Sequence, residues 1–148
     1  MKQIQEMTKR VERPIRIAQF GEGNFLRAFV DWMVDIANEK GVMDSAVALI
    51  KPIAAGDLER FRHQDYLYTV VLRGRENGNT IEDGRIVTAV QDAVDPYTDF
   101  EAFLKLARLE SVETIISNTT EAGIVYDEND RFEAAPPASY PGKLTRFL

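Results

Sequence analysis

Residues 17–30, IAQFGEGNFLRAFV, run an apolar segment directly into two glycines one residue apart and then into a helix-forming stretch. Few backbones accept that order. A strand that meets Gly21 and Gly23 must turn sharply, and the chain beyond has to start a helix at once. Gly21 can supply φ > 0 at the strand exit, and Gly23 leaves the backbone bare where a ligand would approach. The helix start then offers N–H groups without intrahelical partners, at the positive end of its dipole. Such a turn suits a diphosphate. Its spacing follows G-x-G-x-x-G except at the third glycine, where Leu26 stands. That glycine normally permits close helix–strand packing, so the phosphate-facing part of the pattern is intact and its packing part is altered.

The flanks place the turn in a βαβ unit. Pro14 opens a strand over Ile15–Phe20. A helix over 24–40 stops at Gly41, and a second apolar strand, Ala46–Ile50, ends at Lys51-Pro52. Two strands joined through one helix imply a parallel, right-handed crossover. Phe25, Phe29, Trp32, Met33 and Ile36 recur at helical spacing and are expected to face the sheet. Arg27, Asp31, Asp35 and Asn38 are expected on the opposite side, with Arg27 and Asp31 as an i,i+4 pair. Further on, 67–73 and 81–90 flank ENGN and read as an antiparallel hairpin or meander, with Asp83-Gly84 as a further kink. Thr98 to Glu101 forms a capping box before a helix striped by Phe100, Phe103, Leu104 and Ala107. Residues 112–117 (VETIIS) read as a buried strand that ends in the polar loop NTTEAG. A charged turn (127–131), a Pro/Ala linker (134–141) and the start of a helix (142–148) follow, while 1–13 read as a leading helix or tail. The expected fold is α/β and Rossmann-like, a mostly parallel sheet with an antiparallel hairpin insertion. The sheet is expected to be truncated, because the last helix has no evident partner. Residues 1–148 are then an incomplete N-terminal dinucleotide-binding domain from a longer enzyme.

Composition narrows the function classes. A chain of 148 residues, 45% apolar and 28% charged, can bury one core. It has no cysteine and one histidine, His63, which excludes thiolate and histidine-rich metal sites. No apolar run is long enough for a membrane span, and the start does not read as a secretory signal, so a cytoplasmic location is expected. Net charge is −6, from +2 over 1–75 and −8 over 76–148. The acidic second half argues against nucleic acid as a partner. The mildly basic first half holds the glycine turn.

The candidate cofactor-binding residues are Gly21, Gly23, Asn24, Phe25, Lys51, Asn118, Thr119, Thr120 and Glu121. Asn24 could cap the helix or donate to a phosphate oxygen. Phe25 could cover a cofactor or join the core. Arg27 could reach a phosphate or pair with Asp31. Glu22 is expected to face solvent. Lys51 stands where an acid for the adenosine ribose is usual. It either favours a 2′-phosphate or is a solvated strand end, and Asp57 could substitute for the acid. The loop Asn118 to Glu121 lies at the carboxyl end of a strand, where ligands collect in open α/β sheets. Its plainer role is to satisfy its own backbone. Glu121 is a weak candidate for a general acid or base. His63 reads as structural or surface, and the Tyr66–Tyr68 pair alternates as in a strand and reads as packing.

FGEGNFLRAF (20–29), QDYLYTVVLRG (64–74), SNTTEAGI (117–124) and YPGKLTRFL (140–148) occur in one order along nearly the whole chain. In them the chain resembles the polyol-specific long-chain dehydrogenases, the mannitol dehydrogenase family. The resemblance implies hydride transfer between NAD(H) and a sugar acid or polyol. It also implies a helical C-terminal domain that carries the proton-transferring lysine with a nearby asparagine and histidine. No residue of 1–148 matches that catalytic motif, so the carry-over is limited to the cofactor side: Gly21, Gly23, Asn24 and Phe25 at the phosphate turn, and 117–123 near the nicotinamide ribose. NAD is favoured as cofactor, with NADP left open by Lys51. The alternatives are a non-catalytic nucleotide-binding module and an S-adenosylmethionine-dependent methyltransferase. The latter usually wants G-x-G-x-G and an acid near the end of the second strand, where this chain has Phe25 and Lys51. An exposed sheet edge would favour self-association.

Overall fold

The computed structural model describes residues 3–148; Met1 and Lys2, the first part of the expected leading segment, lie outside them. The remainder of that segment forms one 3₁₀ turn, Ile4–Glu6, and otherwise carries no regular structure before the first strand. Strand β1 (Ile15–Phe20), helix α1 (Asn24–Glu39) and strand β2 (Ala46–Ile50) form the expected parallel unit, and Gly41 follows the end of α1 at φ +69°. A short helix α2 (Glu59–Arg62) leads to an antiparallel pair, β3 (Tyr68–Glu76) and β4 (Asn79–Val87). Asn77-Gly78 closes this hairpin with both φ angles positive (50° and 82°), the twist that matches a two-residue connection. Pairing continues in register through Asp83 and Gly84, so the expected kink there is absent. Tyr66 does not alternate with Tyr68 along a strand; it lies outside β3 at φ 63°.

After the hairpin comes a strand that periodicity alone did not separate. Strand β5 (Val90–Val94) leaves the antiparallel pair and runs parallel to β2. Helix α3 (Phe100–Ala107), strand β6 (Thr114–Ser117) and helix α4 (Tyr140–Phe147) complete the chain. The cap of α3 is Asp99, whose carboxylate accepts from Ala102 N at 2.8 Å, not Thr98. The four-stranded sheet has the order β5-β2-β1-β6 with every pair parallel. The chain therefore winds outward from β1 in both directions, the doubly wound arrangement whose ligand crevice opens at the carboxyl ends of β1 and β6.

Strand alternation feeds two cores. Ile17, Val47 and Leu49 point to one face with Val34, Leu58, Phe61, Val70 and Val87. Ala18, Phe20, Ala48 and Ile50 point to the other with Phe103, Leu106 and Phe147. The Phe20 ring meets Phe103, Tyr140 and Phe147 edge-on, with centroids 6.3, 5.4 and 5.6 Å away. Helix α4 thus has a partner within this chain, contrary to the expectation that its apolar groups would lack one.

Helix α1 turns a different face inward from the one expected, although Trp32 packs against the core as expected and Ile36 is half-buried. Phe25, Phe29 and Met33 are 60, 52 and 42% exposed, while Asp31, Asp35 and Asn38 are buried with Leu26 and Val34. Each inward polar group is met by a partner from another element. Asp35 Oδ1 accepts from the Thr88 N–H (2.7 Å) and hydroxyl (2.8 Å), and its Oδ2 accepts from Arg85 Nε (2.6 Å). Asn38 donates to Ser45 O (2.8 Å) and accepts from Ser45 N (3.0 Å), which clamps the end of α1 to the start of β2. Most buried polar groups in folded proteins are matched in this way.

Candidate functional site

The glycine turn stands at the head of the crevice. Gly21 has φ +126°, and its N–H donates to Ile50 O at 3.0 Å, tying the turn to β2. A Cβ on Gly21 would lie 3.3 Å from Asn118 Oδ1 and 3.4 Å from Leu26 Cδ1, so the turn packs tightly on the loop after β6. Gly23 is the N-cap of α1 with φ −70° and ψ 159°, and no side chain caps the helix there. A Cβ on Gly23 would meet nothing within 4 Å. The first amides of α1 are therefore uncapped and their approach is open, which fits a diphosphate. Asn24 lies inside the helix and does not cap it; its Oδ1 accepts from Arg27. Phe25 is outside the core, with its ring 5.5 Å from that of Phe29.

A cleft of about 790 Å³ opens beside the turn, lined by Phe20, Gly21, Pro52, Ile53, Asn118 and Thr119 on the sheet side. Residues 125–129 and 138–140 form its far wall. Those segments, read from sequence as a charged turn and a linker, are held by Asp130. Its carboxylate accepts from Ala138 N (2.7 Å) and from the Ser139 N–H and hydroxyl. These bonds, the Ser139 hydroxyl foremost, hold the Asp130 carboxyl below its ordinary range. A Cβ on Gly142 would collide with the Asp130 carboxylate and lie 2.7 Å from Pro137 Cβ, so a side chain here would force the wall to shift. Nothing in a proline-rich composition announces a pocket wall.

The remaining candidates separate. Asn118 and Thr119 line the cleft; Thr119 is engaged with Ser117, whose hydroxyl lies 2.5 Å from its own and accepts from its N–H at 3.2 Å. Thr120 and Glu121 are exposed and outside the cleft lining. Lys51 is set back from it. Its side chain is 6% exposed, and Nζ lies 2.8 Å from Asp95 Oδ2. The expectation that Lys51 is either a free 2′-phosphate ligand or a solvated strand end is thereby corrected: burial forces the ammonium onto a carboxylate. Asp57 Oδ1 accepts from Glu59 N at 2.8 Å, a turn-capping role. His63 is exposed at the end of α2.

Beneath the turn lies a polar cluster. Gln19 Nε2 donates to Gly21 O (3.1 Å), and Asp31 Oδ2 accepts from the Tyr68 hydroxyl (3.1 Å). Burial pushes the Asp31 carboxyl up to about 7, against the opposing pull of its bonds with Tyr68 and Gln19 and of the Arg27 charge. Burial and the Asp31 charge raise the Tyr68 hydroxyl in turn. Gln19 Oε1 and Asp31 Oδ1 have no partner among the described residues. Arg27 and Asp31 do not form the expected ion pair; the Arg27 guanidinium instead lies 5.0 Å from the Phe61 ring centre and 5.1 Å from that of Tyr68.

Among the described residues no helix is long and apolar enough to cross a membrane. A sequence model described as the Mannitol dehydrogenase Rossmann domain matches residues 15–148. An altronate oxidoreductase of Klebsiella pneumoniae is 48% identical over 136 residues, covering 91% of this chain and 28% of that protein. One of Bacillus subtilis is 42% identical over 150 residues, covering 98% and 31%. The chain thus spans less than a third of the length of these relatives. Among solved structures, a D-sorbitol dehydrogenase in substrate-free form superposes with a TM-score of 0.63 at 27% identity, over 78% of this chain and 24% of that one. A Pseudomonas fluorescens mannitol 2-dehydrogenase, solved with NAD and D-mannitol, gives 0.65 at 19%, over 76% and 23%, a likeness of fold.

Proposed function

The chain belongs to the mannitol dehydrogenase family as its Rossmann domain, and from that premise we propose that it is the NAD(H)-holding part of an altronate oxidoreductase. The whole protein would move hydride reversibly between NAD(H) and a six-carbon sugar acid, the D-altronate/D-tagaturonate pair of hexuronate breakdown. The observation that carries this reading is the uncapped start of α1 behind an open Gly23, two residues past Gly21, which lines the cleft at the carboxyl ends of β1 and β6. Gly21, Gly23 and Asn24 would hold the diphosphate, and Asn118 and Thr119 would stand near the nicotinamide ribose. When bound, the nicotinamide supplies or accepts the hydride. NAD is favoured over NADP because Lys51, the cation at the end of β2, is committed to Asp95.

No lysine or histidine lines the cleft among the described residues. In line with the family resemblance, we assign the group that takes the substrate's hydroxyl proton to a further, helical domain of the whole protein, and none to residues 1–148. Calorimetric titration with NAD+, NADP+ and S-adenosylmethionine tests the reading. Binding of NAD+ in preference to the other two supports it, as does a lack of turnover with NADH and tagaturonate. Preference for S-adenosylmethionine, or no nucleotide binding, refutes it.

A further inference from the structure

The Arg27 guanidinium spans the second glycine from below. Its Nε donates to Glu22 O at 2.9 Å, and its Nη2 donates to Asn24 Oδ1, so the two contacts fall on either side of Gly23. No other described side chain bonds to that stretch: α1 has no side-chain cap, and nothing lies within 4 Å of the Gly23 Cβ position. The guanidinium is fixed in its turn between Phe61 and Tyr68, and the Tyr68 hydroxyl donates to Arg27 O at 3.0 Å. Donor chemistry then settles the orientation of Asn24. Arginine has five N–H donors and no acceptor, so the carboxamide must present its oxygen to Arg27. Its Nδ2 is left on the side away from the guanidinium, on an exposed residue and without a partner among the described residues.

We propose that Arg27 is a positioning residue for the diphosphate: by holding Glu22 O and Asn24 Oδ1 together it fixes the turn and aims the Asn24 amide outward as a phosphate donor. This rests on the dinucleotide reading above. Arg27 touches no ligand itself. Lysine is a poor replacement, because a point-charge ammonium lacks the planar fork that reaches two acceptors while lying against the Phe61 and Tyr68 rings.

The test compares ligands with and without the diphosphate. NAD+, ADP and adenosine are titrated into the protein and into Arg27→Lys and Asn24→Asp variants, with thermal unfolding recorded for each. Arg27→Lys is expected to weaken NAD+ and ADP about tenfold and to leave adenosine unchanged. Asn24→Asp keeps an acceptor for Arg27 and remains folded if Arg27→Lys does not. It exchanges the outward donor for a negative oxygen and is expected to weaken NAD+ and ADP by at least about tenfold at unaltered stability. Parental ADP affinity in either folded variant overturns the proposal, as does an equal loss of adenosine, which marks general damage to the site. If the unsubstituted protein binds NAD+ while the variants do too, only the role of Arg27 fails. If it binds neither NAD+ nor ADP, the dinucleotide reading fails with it.

Discussion

The two glycines of the turn are separable by experiment, because one is required by the protein and the other by its ligand. Gly21 sits at φ +126° with Asn118 Oδ1 and Leu26 Cδ1 at 3.3 and 3.4 Å from the position a Cβ would take. Gly21→Ala therefore combines backbone strain with a tight contact, a cost of about 1–3 kcal/mol. For a chain of this length that lowers Tm by about 2–4 °C per kcal/mol. Gly23 is the opposite case. Its φ of −70° and ψ of 159° are extended backbone that any residue adopts, and its Cβ position is empty to 4 Å. Gly23→Val loses only a favourable N-cap residue, about 1 kcal/mol. Its branched side chain would stand where diphosphate oxygens approach the amides. NAD+ affinity should fall by at least about a hundredfold, equivalent to ~2.7 kcal/mol. Differential scanning calorimetry and titration calorimetry on the same samples read both quantities. A Gly23→Val variant that binds NAD+ like the parent removes the diphosphate from this turn. A Gly21→Ala variant as stable as the parent refutes the conformational account of the first glycine.

Three further outcomes follow from the surrounding structure. Asp31 titrates near 7 when folded and from the ordinary range near 3.8 when unfolded, so the folded state holds a proton that the unfolded chain has released. Its contribution is complete below about pH 4, is lost as pH rises to about 7 and stays lost above; it amounts to no more than about 4 kcal/mol. Asp31→Asn, which mimics the protonated acid, should flatten urea-unfolding stability across that window and exceed the parent at pH 8; an unchanged slope counts against it. Lys51→Met should cost up to about 3 kcal/mol in urea unfolding, because it leaves the largely covered Asp95 carboxylate with only its bond from Tyr97 N, and should not alter the preference between NAD+ and NADP+; a shift in that preference would return Lys51 to the cofactor site. The outer edge of β6 has no strand beside it among the described residues, and with exposed Phe25 and Phe29 it should promote association. Light scattering should show mass rising with concentration; a constant monomer mass refutes this.

The strand-turn-helix order was legible because each of its parts has a local cause: apolar alternation in β1, two side-chain-free positions, and Gly41 at the helix end. Asn77-Gly78 announced the hairpin for a similar local reason. Strand β5 was not legible, because its residues continue the β propensity of β4 without a break, and only pairing with β2 assigns them to another sheet. Lys51 misled because a charge at a strand end reads as solvated until a partner 44 residues away is brought to it. The far wall of the cleft depends on Asp130 reaching Ser139 across nine residues, a contact without a periodic signature.

The inverted face of α1 and the missing third glycine have a common physical basis. Leu26 is buried under the turn, its Cδ1 close to Gly21, and fills the space that glycine would have let the helix close. Gln19, Asp31, Asp35 and Asn38 are buried between α1 and the rest of the chain. Gln19 and Asp31 bond to each other across β1 and α1, and the remaining partners come from elsewhere. Tyr68, Arg85 and Thr88 come from the hairpin and its exit, and Ser45 from the approach to β2. The hairpin insertion is thereby a structural part of the glycine turn: Tyr68 contacts Asp31 through its hydroxyl and Arg27 through its ring. Loss of the Tyr68 ring should accordingly loosen the turn from a distance in sequence, which makes the hairpin base a second place from which diphosphate affinity can be changed without touching a ligand.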